Sequence, residues 1–344
     1  MDSWDYEESL DLLDYMPQSN NFLEIWQFEG AAEPMVQKCI LDGENLDEYL
    51  SGRLDKAHDR PITAGLRLIY SQVDSQMDCN DKTVFWSRSD FMKIMESFHL
   101  SKRFTQMLAN CHCFFAESPT DGEVSGAKYS SYIFSTMFHH CPFWALAAAW
   151  NPEKNITYAI LHCTSNTEQG YIPHLKRFLN KTMPQYMHPI LLPVINMDLE
   201  TALTLNDDEA WTSEINDIEE ETRQKPNYVP KPLNPHELDL FSIIQRLNGC
   251  SVFLFLIERE SEAVLLHLEQ ARRVILELQS MSAALRHATN GLISHIDFLV
   301  NSRKNLFIRL QNLQRRSQTP LAFAYSSIGL RDNKYNIKAK EKDA

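Results

Sequence analysis

Between Leu240 and Leu278, residues spaced alternately three and four apart are small or apolar. They are Leu240, Ile243, Leu247, Cys250, Leu254, Ile257, Ser261, Val264, Leu268, Ala271, Ile275 and Leu278, and Ser261 is the polar exception. Rows of this spacing hold one face of a helix against other helices along its length. A second row follows a short break, with leucines seven apart at Leu292, Leu299, Leu306 and Leu313. The two rows predict long helices over about 237–279 and 283–341. Pro320 falls inside the second. The apolar positions beyond it, Leu321, Tyr325 and Ile328, are displaced by one place, which predicts a kink. Such rows occur more often as packing inside a bundle than as a coiled coil between chains. Ser261 and Arg303, on or beside them, suit a bundle edge.

Upstream the periods are shorter. Leu66, Ile69, Tyr70 and Val73 fit one face of a helix over 63–73. Ser89 reads as the N-cap of a helix reaching Phe98 that buries Phe91, Ile94, Met95 and Phe98. Segments 111–116, 129–138, 143–150 and 156–163 are short, aromatic and β-branched. Turn signals such as Asn151-Pro152-Glu153-Lys154-Asn155 separate them, which predicts an antiparallel meander. A helix near 168–180 follows. Pro189 and Pro193 then occupy the first turns of a helix toward Arg223, with Leu192, Ile195, Leu199, Leu203, Trp211, Ile215 and Ile218 apolar. Pro226, Pro230, Pro232 and Pro235 make 225–235 an extended connector. The fold class expected is α+β: a small antiparallel sheet flanked by helices, then a long-helix bundle with a stalk-like C-terminal helix. The domains expected are an acidic arm over 1–60, an α/β domain over 61–183 and the bundle over 184–344.

Charge sharpens this division. The net charge is −13, and residues 1–60 hold 15 Asp/Glu against 4 Lys/Arg, while 302–344 hold 10 Lys/Arg against 3 Asp/Glu. The acidic stretch reads as a solvated arm. The basic end suits an anionic phosphate surface. An acidic chain without aromatic residues interleaved among basic ones argues against nucleic acid. Seven cysteines without a disulfide framework favour reduced thiols and an intracellular setting. The longest apolar runs, 142–150 and 250–257, fall far short of the ~20 residues a bilayer requires, so the chain is expected to be soluble or peripheral.

Candidate chemistry is sparse. Cys111-His112-Cys113, His139-His140-Cys141 and His162-Cys163 fall near strand ends, and four such ligands would suit tetrahedral zinc. No C-x₂-C or H-x₃₋₅-H spacing accompanies them, so unligated buried thiols are the expectation, with no metal and no cofactor. With 10 glycines in 344 residues there is no phosphate loop, and no G-x-S-x-G elbow occurs. Asp207-Asp208-Glu209 and Glu219-Glu220-Glu221 read as a hydrated helix face. No catalytic residue is assigned, and an enzyme is not expected.

One resemblance emerges from the order of elements. Met187-His188-Pro189-Ile190-Leu191-Leu192-Pro193, the proline connector, Gln245-Arg246-Leu247-Asn248 and a last helix carrying Leu330-Arg331-Asp332-Asn333-Lys334-Tyr335-Asn336 occur together. This resembles the cytosolic region of fungal CorA-like proteins, relatives in architecture of the CorA magnesium transporters. It covers roughly residues 100–342 and is clearest over 187–342. The resemblance implies that the last helix is a stalk leading toward two membrane helices. Neither those spans nor a Gly-Met-Asn pore triplet is present in this sequence. It therefore implies a non-enzymatic scaffold or regulatory module, cytoplasmic and peripheral to the cytosolic face of a membrane. Its partners would be further copies of itself or a CorA-like membrane protein. Lys334, Lys338, Lys340 and Lys342 would make weak contact with an anionic membrane surface. Two alternatives stay open: a transporter-like protein whose transmembrane helices are missing, and a metal-dependent enzyme or sensor built on the Cys/His strands.

Overall fold

The computed structural model describes residues 3–41, 43–51, 60–71, 82–110, 114–119, 130–136, 144–163, 173–175, 177, 188–224, 238–281 and 285–343. In chain order these form α1 (Ser3–Asp11), β1 (Asp14–Tyr15), β2 (Asn20–Phe28), β3 (Met35–Leu41), α2 (Leu46–Leu50), β4 (Ile62–Ser71) and β5 (Thr83–Val84). There follow α3 (Arg88–Ser97), α4 (Arg103–Asn110), β6 (Phe114–Pro119), β7 (Ser130–Thr136), β8 (Trp144–Asn151) and β9 (Ile156–Cys163). The long helices are α5 (Leu191–Glu221), α6 (Leu240–Met281) and α7 (Arg286–Asp343). The mixed α+β class holds. The chain divides into two compact units, Met1–Leu199 with Leu266–Phe298, and Glu200–Leu265 with Leu299–Ala344.

The first unit is built on a seven-stranded sheet in the order β3-β2-β4-β9-β8-β7-β6. All its pairings are antiparallel except that of β4 with β9, where Leu68 lies beside Ala159. The sheet is therefore mixed and larger than the meander expected. Residues 62–71, most of the 63–73 stretch read as helical from its apolar spacing, form a strand that is largely buried on both faces. Leu66, Leu68 and Tyr70 are buried on one side and Ile69 on the other. A short run buried on both sides does not distinguish strand from helix by period. The acidic arm is likewise corrected. β2 pairs with both β3 and β4, and Phe22, Leu23, Ile25 and Trp26 are buried, so this part of the segment is folded into the sheet.

One sheet face, carrying Phe22, Ile69, Ile133, Ala145, Ala147 and Ile160, shares a core with Phe91, Ile94 and Phe98 of α3 and Phe104 and Leu108 of α4. The cap of α3 is Ser87, two residues earlier than expected, whose hydroxyl accepts the Asp90 backbone N–H. The other face packs Phe115 and Phe134 around the His267 ring of α6.

The second unit consists of helix alone. Its core holds Ile215 and Ile218 of α5, Leu240 to Ile257 of the α6 row, and Leu306, Leu310, Leu313 and Ala324 of α7. All twelve positions of the α6 row are buried. On α7 the buried positions run Leu292, Ile296, Leu299, Arg303, Leu306, Leu310, Leu313, Ser317, Pro320, Ala324 and Ser327 without breaking step. The displacement expected after Pro320 is absent. Pro320, Ala324 and Ser327 continue the row, while Tyr325 is exposed. By length and composition α6 is also apolar enough to cross a membrane. Run length missed this because Gln245, Arg246 and Asn248 interrupt the runs.

Candidate functional site

The core-facing side of α5 in the second unit is mostly polar. Thr201, Thr204, Asp208, Glu219 and Thr222 are buried there beside Ile215 and Ile218. Burying such groups is unfavourable unless each finds a partner. Arginines on α7 supply the partners. Arg303 donates from Nε to Thr201 Oγ1 at 3.0 Å and from Nη1 to Thr204 Oγ1 at 3.1 Å. Its Nη1 also reaches Ser261 Oγ on α6 at 3.3 Å. The Thr204 hydroxyl donates in turn to the Glu200 backbone carbonyl at 2.8 Å. Further along, Arg309 Nη2 lies 2.6 Å from Asp208 Oδ2. Arg316 clamps Glu219 with two bonds of 2.9 and 2.6 Å. Arg246 of α6 bonds Glu214 and Glu221 at 2.6 and 2.8 Å.

These pairs make α5 and α7 run in the same direction, with α6 against both. They correct two sequence readings. Ser261 and Arg303 sit fully inside the bundle and bond to each other. Asp208 and Glu219 face the bundle, whereas Glu209 and Glu220 are exposed as expected. A buried polar layer of this kind adds little net stability against an apolar one, but it penalises every other alignment of the helices.

Glu200, one residue before Thr201, is fully buried. Burial pushes its carboxyl up to about 8; the Arg303 charge opposes the shift and Glu260 adds to it. Glu200 Oε2 and Arg303 Nη2 are buried without a hydrogen-bond partner among the described residues. The folded state thus holds the Glu200 proton more tightly than the unfolded chain does. The associated stability is complete below about pH 4.5 and declines as pH rises toward 8. Glu200→Gln should match the parent in urea midpoint at pH 4 and exceed it progressively up to pH 8. A difference that does not vary with pH would show that Glu200 does not titrate in this window.

The first unit has polar groups of its own. Glu24 and Arg67 stand opposite one another on β2 and β4, both buried, with Arg67 Nε donating to Glu24 Oε1 at 2.8 Å. Trp26 Nε1 donates to Glu24 Oε2 at 3.0 Å. The Arg67 guanidinium lies 4.4 Å from the centre of the Tyr49 ring and 5.6 Å from that of Phe98. Each charge here has its partners, so the pair reads as structural. Asp198 accepts His174 Nε2 at 2.8 Å, and His295 Nε2 lies 3.5 Å from the same oxygen. Burial alone would raise Asp198, but the two imidazoles outweigh it and hold the carboxyl below its usual range. A cleft of about 590 Å³ is lined by Tyr6, Glu7, Met92, Met95, Glu96, Leu100 and Lys102. It presents mixed charge over an apolar floor.

No family model matches this chain, and no curated protein matches it. Among solved structures, the cytoplasmic domain of ZntB from Vibrio parahaemolyticus aligns at 9% identity and a TM-score of 0.41. The alignment covers 87% of this chain and 97% of that one. A likeness at that level leaves family and function open.

Of the thiol and imidazole groups, Cys111, His112, Cys113, His139, His140 and Cys141 lie outside the described residues. His162 and Cys163 are neighbours on β9 and so point to opposite faces. His162 stacks on Phe85 at 5.7 Å, and burial lowers it to about 4. Among the described residues no three His, Cys, Asp or Glu side chains are placed to share a metal ion. Lys334 and Lys338 are exposed, while the side chains of Lys340 and Lys342 lie outside the description. Two sets of residues were missed in the sequence. Glu24 and Arg67 were detectable as lone charges within apolar strands. The α5 row was not, because its core positions are polar.

Proposed function

We propose that the chain is a non-enzymatic scaffold or regulatory module, similar in role to the cytosolic part of CorA-like transporters, with its basic end beside an anionic membrane. The carrying observation is the polar layer of the second unit, centred on Arg303. Its bonds to α5 and α6 fix one alignment of three helices, as a spacer or assembly element needs. The rest of α7 supports the reading. At 58 residues the helix is ~87 Å long, and positions 332–338, including Lys334 and Lys338, are exposed. Basic residues near an anionic leaflet gain about 1 kcal/mol each, screened within a Debye length.

Cosedimentation with vesicles tests this. Anionic vesicles at low salt should retain the protein and neutral vesicles should not. Charge reversal at Lys334, Lys338, Lys340 and Lys342 together should abolish retention. Equal recovery with both vesicle types would overturn the membrane placement.

A further inference from the structure

Arg331 of α7 donates from Nη2 to the Leu238 carbonyl at 3.1 Å, two residues before α6 begins. Beyond that bond α7 continues to Asp343, and every side chain from Asp332 to Lys338 is exposed. The packed row keeps its spacing there but changes character: after Ala324, Ser327 and Arg331 come Lys334 and Lys338. Leu330 and Ile337, seven apart, stand beside these lysines and are 69% and 59% exposed. From position 330 onward, Leu330, Lys334, Ile337 and Lys338 share a strip about 100° wide at the α-helical rotation. Position 341 falls on the same strip by register and brings one glutamate. Asp332, Asn333, Tyr335 and Asn336 fall outside it.

Two aliphatic side chains interleaved with two lysines suit one kind of partner. A seam of a single heptad is too short to hold a second helix, and another copy of the chain would bring the same positive charges. An anionic lipid surface accepts both groups at once. Aliphatic side chains enter the boundary between headgroups and acyl chains, and lysines lay their stems along it to reach phosphate. We propose that the segment of α7 beyond Arg331 lies along an anionic bilayer surface, with Leu330 and Ile337 inserted among the lipids and Lys334 and Lys338 at the phosphates. Position 341 offsets one lysine, so charge alone holds the helix weakly. The aliphatic pair alone is equally small, and attachment takes the two together.

This inference rests on the membrane placement proposed above and names its contact surface. Binding of the full chain to anionic vesicles tells the two apart. Leu330→Ser combined with Ile337→Ser alters no charge. It should leave the circular dichroism unchanged and weaken binding about tenfold. Tyr335→Ser, at a position 70% exposed but off the strip, should change binding by less than about twofold. Ile337→Trp should give fluorescence that brominated anionic lipid quenches, and Asn336→Trp should not. Binding that survives the double serine variant unchanged, or quenching at 337 no greater than at 336, would overturn insertion and leave the lysine contact standing. A parent chain that ignores anionic vesicles at low salt would overturn both.

Discussion

Arg303→Ala should destabilise the protein by about 3–5 kcal/mol. The guanidinium donates to Thr201, Thr204 and Ser261, and its charge opposes the rise of the Glu200 carboxyl, all in an enclosed layer. Alanine removes those donors, leaves the hydroxyls short of partners and opens a space the size of a long side chain. It also removes the charge that restrains the Glu200 proton, so the Glu200 carboxyl should move further up. Arg303→Lys should recover only part of the loss, because an ammonium cannot reproduce the planar fork that reaches three acceptors. Urea unfolding followed by circular dichroism measures both. A loss below about 1 kcal/mol for alanine would show that the layer is not energetically coupled.

Leu268→Asp should be more damaging than Leu268→Ala, which itself should cost about 2–5 kcal/mol. Leu268 is fully buried on the α6 row. Alanine leaves a cavity there, whereas aspartate adds a carboxylate without an assigned partner, which must either protonate or draw water inside. A melting temperature unchanged by aspartate would place this face at the surface. Measuring both variants separates the loss of packing from the cost of burying a charge.

The helical rows could be read from sequence because their period is long and repeated: eleven of the twelve α6 positions are apolar or small. The β8 and β9 strands could be read nearly to the residue, since turn residues bracket them. The errors have separate physical causes. Residues 62–71 are largely buried on both sides, and Ile69 beside Leu68 and Tyr70 masked the alternation of Ile62, Ala64, Leu66, Leu68 and Tyr70 that marks a strand. The α5 row is buried through polar partners on a helix a hundred residues away in sequence, as Thr201 is by Arg303. A reading that equates burial with apolarity places Asp208 and Glu219 in water. Pro320 misled for a different reason. Leu321 and Tyr325 are the larger apolar residues, but the packed row runs through the smaller Ala324 and Ser327.

The Glu24–Arg67 pairing has a consequence for how the sheet is reached. β2 lies between β3 and β4, and its inner residues are apolar on both faces, so hydrophobic burial alone tolerates several strand alignments during collapse. A slip of one residue would send Glu24 to the opposite face and leave Arg67 enclosed without its carboxylate. Each misaligned sheet then carries an uncompensated charge and reopens readily. In folding terms the pair works as an error check, and it predicts that evolutionary change at one of these positions is accompanied by change at the other.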